Sequence, residues 1–235
     1  RILSLAYSPD GKYLIAGGGT PAQFGEVQIW DARAGKLLHA ATLTNDTVFG
    51  ASIAPDSSRV SVGCADNTVH VFETATGKEL YKIGNHENWV LGSVFGADSK
   101  RFVTVSKHRA AKLIDASSGA FLENVNLLRG ELNAVARHPK KDIVVIGGDE
   151  RYPYVYQMDR PKNMKIADDT TLIRKLDRQD GPIFSLDWSP DASRIAVAGI
   201  APAVNIYDAE SGKLTAQCKG HSAGIYAAAF SPDGK

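Results

Sequence analysis

The sequence predicts an all-β fold of the β-propeller type, assembled from one four-stranded unit repeated along the chain. Six short apolar runs end in the same kind of turn: Ser8-Pro9-Asp10-Gly11, Ala54-Pro55-Asp56-Ser57, Gly96-Ala97-Asp98-Ser99, His138-Pro139-Lys140-Lys141, Ser189-Pro190-Asp191-Ala192 and Ser231-Pro232-Asp233-Gly234. Between the third residues of successive turns the steps are 46, 42, 42, 51 and 42 residues. A second marker keeps the same interval: Ile29-Trp30-Asp31, Val71-Phe72-Glu73, Leu113-Ile114-Asp115 and Ile206-Tyr207-Asp208. A period near 42 residues, filled by short strands and tight turns, belongs to radial repeat proteins.

The second repeat shows how each element arises. Val48 to Ala54 is apolar and β-prone, and Pro55-Asp56-Ser57 folds it back. Proline presets the backbone angle at the second turn position, and the aspartate accepts from nearby amides. Arg59 to Ala65 returns as a second strand; Ala65-Asp66-Asn67 turns into a third, Thr68 to Glu73; Gly77-Lys78 leads into a fourth, Leu80 to Ile83. Four antiparallel strands in one period make one propeller blade. Second strands such as Ile143-Val144-Val145-Ile146 are apolar throughout, as strands covered on both faces are. The pattern places blades at 2–43, 48–83, 90–127, 132–177 and 183–219, with the start of another at 225–235. Residues 1–235 then read as five blades plus the first strand of a sixth, a single segment of a larger propeller. Two insertions break the beat: 20–25 lengthens an inner hairpin, and 159–170 replaces a short turn. Each is a tolerated surface loop or part of a binding face.

Bulk composition removes several classes of function. Twenty-seven basic residues against 26 acidic ones give a net charge of +1, so the basic excess of a nucleic-acid binder is missing. No stretch approaches the length of an apolar membrane span. Cys64 and Cys218 lie three repeats apart, and no bridge is expected between them. No Cys-x-x-Cys-His motif occurs, and the six histidines fall at unrelated places in their repeats, so neither haem attachment nor a metal centre is expected. Gly17-Gly18-Gly19 is not followed by Gly-Lys-Ser/Thr, which argues against a phosphate loop. No catalytic residue and no cofactor is expected.

The chain resembles WD40-repeat proteins over its whole length. The likeness rests on the Ser-Pro-Asp-Gly turns, Ile29-Trp30-Asp31, the hairpins from Asp31 to Gly35-Lys36 and from Asp208 to Gly212-Lys213, and Gly220-His221. Thr44 to Gly50, Gly63 to Val69 and Ala134 to Pro139 further resemble bacterial, planctomycete-type WD40 chains. That narrower likeness implies a neighbouring c-type cytochrome domain and a periplasmic or exported compartment; the residues themselves fix no compartment. Many blades of this family hold a hydrogen-bonded set of His, Ser, Asp and Trp, and no repeat here shows the full set. Val62 and Phe72 stand at two of its places in the second repeat. Blade stability is therefore expected to rest mainly on apolar packing.

What remains is a recognition surface. Trp30 and Trp188 occupy strand positions filled elsewhere by large apolar residues and are expected in the core. Trp89 precedes a first strand, where other repeats carry Arg1, Thr47, Glu131, Pro182 and Gly224. With no shared packing demand at that place, Trp89 is either a binding anchor at the propeller mouth or a residue packed on His86 in its own loop. Two residues earlier the register gives Asn45, Glu87, Arg129, Asp180 and Ser222. The inner hairpin turns add Lys107, His108, Arg109, Glu150, Arg151 and Tyr152 to that upper face. This collection of mixed sign is either a polar recognition rim or ordinary solvated surface. The expected function is a non-catalytic scaffold whose upper face binds a protein partner or a neighbouring domain of the same chain. The alternative is an auxiliary domain of a larger redox or hydrolytic enzyme whose chemistry lies elsewhere.

Overall fold

The computed structural model describes residues 1–127, 129–159 and 169–234. It contains five four-stranded sheets, and among the described residues there is no helix. The first sheet comprises β1 (Ile2–Tyr7), β2 (Tyr13–Thr20), β3 (Phe24–Asp31) and β4 (Lys36–Thr44). The second holds β5 (Val48–Ile53), β6 (Arg59–Cys64), β7 (Val69–Glu73) and β8 (Glu79–Ile83). The third holds β9 (Val90–Phe95), β10 (Arg101–Ser106), β11 (Ala111–Asp115) and β12 (Phe121–Asn124). The fourth is β13 (Leu132–Arg137), β14 (Ile143–Gly148), β15 (Tyr154–Gln157) and β16 (Leu172–Lys175). The fifth is β17 (Ile183–Trp188), β18 (Arg194–Gly199), β19 (Ala203–Asp208) and β20 (Leu214–Lys219). Each is a meander whose consecutive strands lie side by side, the arrangement of a WD40 propeller blade. Residues 225–230, expected as a further first strand, take no sheet partner; the Ala228 and Phe230 amides donate to Ser185 Oγ and Asp187 Oδ2 instead.

The chain divides into two compact units, Arg1–His108 with Lys112–Glu123, and Arg109–Ala111 with Asn124–Lys235. In the first, β2 and β3 pack on β5, β6 and β7 through Ile15, Val27, Ile29, Val48, Val60, Val62 and Phe72. The second sheet in turn meets the third through Val69, Val71, Val90, Phe95, Phe102 and Ile114. In the second unit, Val145 and Val155 meet Ile183, Ile195, Val197, Trp188 and Tyr207. Val60, Val62, Val71, Val103 and Val105 have no exposure. Each such valine stabilises its blade by roughly 1.5–3 kcal/mol.

Those clusters explain where one expectation fails. Phe72, Ile114 and Tyr207 each turn toward the preceding sheet of their unit and are buried. Trp30 holds the same register in the first sheet, but it is only partly buried and donates its indole N–H to Gln28. Trp188 is buried, its ring 4.8 Å from His138.

Each first strand carries a bulge that the apolar pattern does not announce. The pairing register skips one residue between Ile2 and Ser4, Val48 and Gly50, Leu132 and Ala134, and Ile183 and Ser185; in the third sheet Gly92 and Val90 face consecutive residues of β10. The skipped residues are Leu3, Phe49, Leu91, Asn133 and Phe184, and a bulge re-aims the side chain it carries. Where β5 and β9 converge, Gly50 leaves room that no larger residue could: a Cβ there would lie 2.6 Å from the Gly92 Cα.

The turns at the opposite end behave as their chemistry dictates. Asp10, Asp56 and Asp191 accept from the backbone amides of Lys12, Ser58 and Ser193 and from neighbouring hydroxyls. In the fourth sheet Lys140 stands at the aspartate's place in the turn, and His138 Nδ1 accepts from the Lys140 and Lys141 amides instead. The 20–25 insertion simply lengthens the β2–β3 ladder, pairing Gly19 with Gly25 and Thr20 with Phe24. Of the 159–170 insertion, residues 160–168 lie outside the described residues.

Candidate functional site

The upper end of every blade is built on one repeated backbone bond. The carbonyls of Arg1, Thr47, Trp89, Glu131 and Pro182 accept from the amides of Gly19, Ala65, Lys107, Asp149 and Ile200. Main-chain groups alone do this joining, so the side chain at that position is left to vary. In the third sheet it is Trp89.

Trp89 is 42% exposed. Its ring packs on Phe49, the bulge residue of β5, at 5.5 Å between centroids, and the Lys107 ammonium stands 5.3 Å from the ring centre. Packing against His86 does not occur, because His86 points into the blade. There its Nδ1 meets Ser106 Oγ at 3.1 Å and its Nε2 meets Thr104 Oγ1 at 2.8 Å. Burial, and then the charges of Lys112 and His108, push the His86 imidazole down to about 3, so it is neutral.

The loop carrying Trp89 is tied residue by residue. The Asn85 carbonyl accepts from Lys112 Nζ, His86 is held as above, and Glu87 pairs with His108 Nε2 at 2.8 Å. Asn88 Oδ1 takes the Trp89 amide, and the Trp89 carbonyl takes the Lys107 amide. A loop held this firmly would carry little entropic cost of ordering on contact with a partner. In this unit the structure thus brings together Trp89 with Lys107 and Glu87 with His108; Asn45 is exposed and separate from them.

The other candidates belong to the second unit. Arg129 is engaged internally: it pairs with Asp169, donates to the Tyr156 hydroxyl and lies 5.1 Å from the Tyr154 ring centre. Burial pushes the Asp169 carboxyl up, but the Tyr156 and Arg129 bonds outweigh it and hold the group below its ordinary value. Lys175 covers the Tyr152 ring at 3.4 Å, and Tyr152 and Tyr154 are 6.2 Å apart. The turn residues Arg109 and Arg151 have φ near +70° and spend their carbonyls on Asn126 Nδ2 and the Gln179 amide. Asp180 is exposed and Glu131 half-buried. Arg129, Glu131, Glu150, Tyr152, Tyr154 and Tyr156 line a cavity of about 10 Å³. That is room for a single water, far below the hundreds of Å³ a small-molecule site occupies.

Phe49 is the site residue that sequence reasoning missed, because an aromatic in an apolar strand reads as core until the bulge is known. The polar sets inside blades were missed too. Besides the His86 set, Asp66, Thr68, His70 and Glu79 form a continuous chain in the second sheet, and Gln179 links Tyr207 to Asn205 in the fifth. Among the described residues no three His, Cys, Asp or Glu gather as metal ligands, and no helix is long and apolar enough to cross a membrane.

Both units match known repeat families. Residues 1–20 and 36–73 match the WD domain, G-beta repeat, and residues 135–232 match the Anaphase-promoting complex subunit 4 WD40 domain. Eukaryotic translation initiation factor 3 subunit I of Aspergillus oryzae is 30% identical over 156 residues, covering 61% of this chain and 46% of that protein. Transcription factor unc-37 of Caenorhabditis elegans is 28% identical over 159 residues, 66% of this chain and 24% of that protein. WD repeat and SOCS box-containing protein 1 of Danio rerio is 34% identical over 93 residues, 39% of this chain and 22% of that protein. The chain thus spans less than half the length of each of these relatives.

Proposed function

We propose that this chain of WD40 repeats is a non-catalytic interaction scaffold that binds a protein partner, or a neighbouring domain of its own chain, through the upper ends of its blades. The observation that carries the reading is Trp89: a large aromatic, 42% exposed, on a loop whose residues 85–89 all engage described neighbours. Buried aromatic anchors dominate the energetics of protein interfaces. In the first unit the exposed Asn45 and Glu87 supply polar surface at the same ends of their own blades. In the second unit Arg109, Arg151, Tyr152, Glu131 and Asp180 do the same, with Arg129 bracing its own loop.

Trp89→Ala tests this. It weakens the partner by about 2 kcal/mol or more, as a hot-spot truncation does. Its effect on melting temperature is small, because the joining bond is main-chain. A large stability loss with unchanged affinity would overturn the reading. The alternative, an auxiliary domain of a larger enzyme carrying a c-type cytochrome or a hydrolytic site, rests on the narrower sequence resemblance alone. It requires Cys-x-x-Cys-His motifs or a catalytic domain in flanking sequence.

A further inference from the structure

The first blade presents an outer edge unlike those of the other blades. β4 has nine residues and is the longest strand among the described residues. The 20–25 insertion prolongs β3, and β4 follows it, pairing Thr42 with Glu26 and Thr44 with Gly25. As the last strand of its sheet, β4 has one row of amides and carbonyls without a ladder partner. Proteins commonly protect such edges with charges. Each of the other outer strands carries at least one: Glu79 and Lys82 in β8, Glu123 in β12, Arg174 and Lys175 in β16, and Lys219 in β20. β4 has none from Leu37 to Thr44. Its pairing to β3 skips Leu38 and Leu43, which leaves His39 to Thr42 as a regular run on which another strand can align. At the upper end of this edge lies a groove of about 600 Å³, lined by Thr42, Thr44, Asn45, Asp46, Ala65 and Asp66. Asp66 is engaged there: Oδ1 accepts from the Thr68 amide and hydroxyl, and Lys82 stands 3.7 Å from Oδ2. Asp46 spends one oxygen on the Thr47 amide and makes no ion pair among the described residues.

We infer that β4 is a strand-addition site: an extended segment of the partner pairs along His39 to Thr42 and sends a lysine or arginine into the groove, to Asp46. The inference rests on the scaffold reading and names the chemistry of its partner at a second point of the upper ends. In this mode main-chain bonds supply affinity, and pockets for alternate side chains supply selectivity. Ala41 and Leu43 pack toward the second blade, and His39 meets the Ala75 carbonyl there. Side chains alternate between the faces of a strand, so every second residue of an added strand stands on the groove's side. A cation suits that place because Asp46 is the carboxylate left without one, and charge-assisted bonds are the stronger kind. A second copy of this chain is the poorer complement, because its own β4 carries no charge after Lys36 and brings no cation to the groove.

The test is selection of a random peptide library on the whole chain, with three measurements on the enriched peptides. A benzophenone residue placed in each peptide forms adducts, mapped by mass spectrometry, that are expected within residues 37–44. N-methylation of the peptide backbone, one position at a time, is expected to weaken binding by about tenfold at every second residue and little at those between. Asp46→Asn, which keeps the acceptor for the Thr47 amide and loses the charge, is expected to weaken binding by about tenfold. Replacing the peptide's lysine or arginine by norleucine gives a similar loss on wild type and little further loss on Asp46→Asn. Adducts outside 37–44, N-methyl sensitivity without alternation, or tolerance of Asp46→Asn overturns the inference. A dimer of the chain in light scattering that the peptides dissociate assigns the edge to a second copy and overturns it as well. Enriched peptides that depend only on Trp89, tested with Trp89→Ala, overturn it and leave the anchor reading standing; a selection with neither kind overturns both. Circular dichroism melts confirm that Asp46→Asn and Trp89→Ala are folded.

Discussion

Replacing His86 by alanine tests the interior of the third blade separately from the proposed binding face. The imidazole is 6% exposed and bonds two hydroxyls, Ser106 Oγ and Thr104 Oγ1, that are themselves fully buried. Without it each hydroxyl loses one partner, Ser106 Oγ keeping only the His108 amide at 3.2 Å, and an unsatisfied buried polar group costs roughly 1–3 kcal/mol. Thr104 recovers part of this by turning to the Lys112 carbonyl, 3.5 Å away. The net loss expected for His86→Ala is about 2–4 kcal/mol, read as a lower urea midpoint at pH 7.5 with unchanged slope. Acid gives a second handle. The folded imidazole is pushed down to about 3, whereas the unfolded chain takes up the proton near pH 6.5. Stability from the neutral buried ring is therefore complete above pH 6.5 and declines as pH falls toward 3, by up to about 1.4 kcal/mol per unit. His86→Gln loses most of that slope; His138, pushed down by burial and by Lys141, Lys140 and Arg137, keeps a remainder. A loss below about 1 kcal/mol for His86→Ala, or identical acid slopes in wild type and His86→Gln, would refute the assignment.

Two further outcomes follow from the fold. Gly50→Ala places a methyl group 2.6 Å from the Gly92 Cα, contact that only a backbone shift can relieve, so a loss of about 2–3 kcal/mol is expected in chemical denaturation. Asp191 bonds the Ser189 hydroxyl, then the Ser193 amide and hydroxyl, and these hold its carboxyl well below the ordinary value. Its contribution is present above about pH 4 and is lost as pH falls further, so the melting temperature of Asp191→Asn converges on that of wild type in strong acid.

The repeat was legible because strands and turns leave local signals. The Pro-Asp turns, the apolar second strands and the 42-residue interval predicted the four strands of the second repeat, which the structure places within a residue or two, and a strand at 225–230, which finds no sheet partner. The bulge was not legible: Phe49 and Ile53 are both apolar residues of one strand, and only pairing to β6 shows that one is skipped. Trp30 was assigned to the core from its register alone, and register does not give the extent of burial. Apolar packing was expected to carry the blades in the main; beside it His86 bonds Ser106 and Thr104, His70 bonds Thr68 and Glu79, and Gln179 bonds Tyr207 and Asn205, pairings that no spacing in the sequence announces. Trp89 stood out from the sequence as a large aromatic at a position without a shared side-chain requirement. The backbone bond that frees it becomes visible only in three dimensions.

The central claim, that the upper blade ends form the recognition surface, is tested most directly by photo-crosslinking. A benzophenone amino acid is placed in turn at Asn45, Glu87 and Trp89 in the first unit, at Asp180 in the second, and at Asp10 and Asp191 in the turns at the opposite end. The account predicts adducts with partner protein from the upper positions, strongest beside Trp89, and none from the two turns. Adducts from Asp10 or Asp191 with none from Glu87 or Asn45 would contradict it.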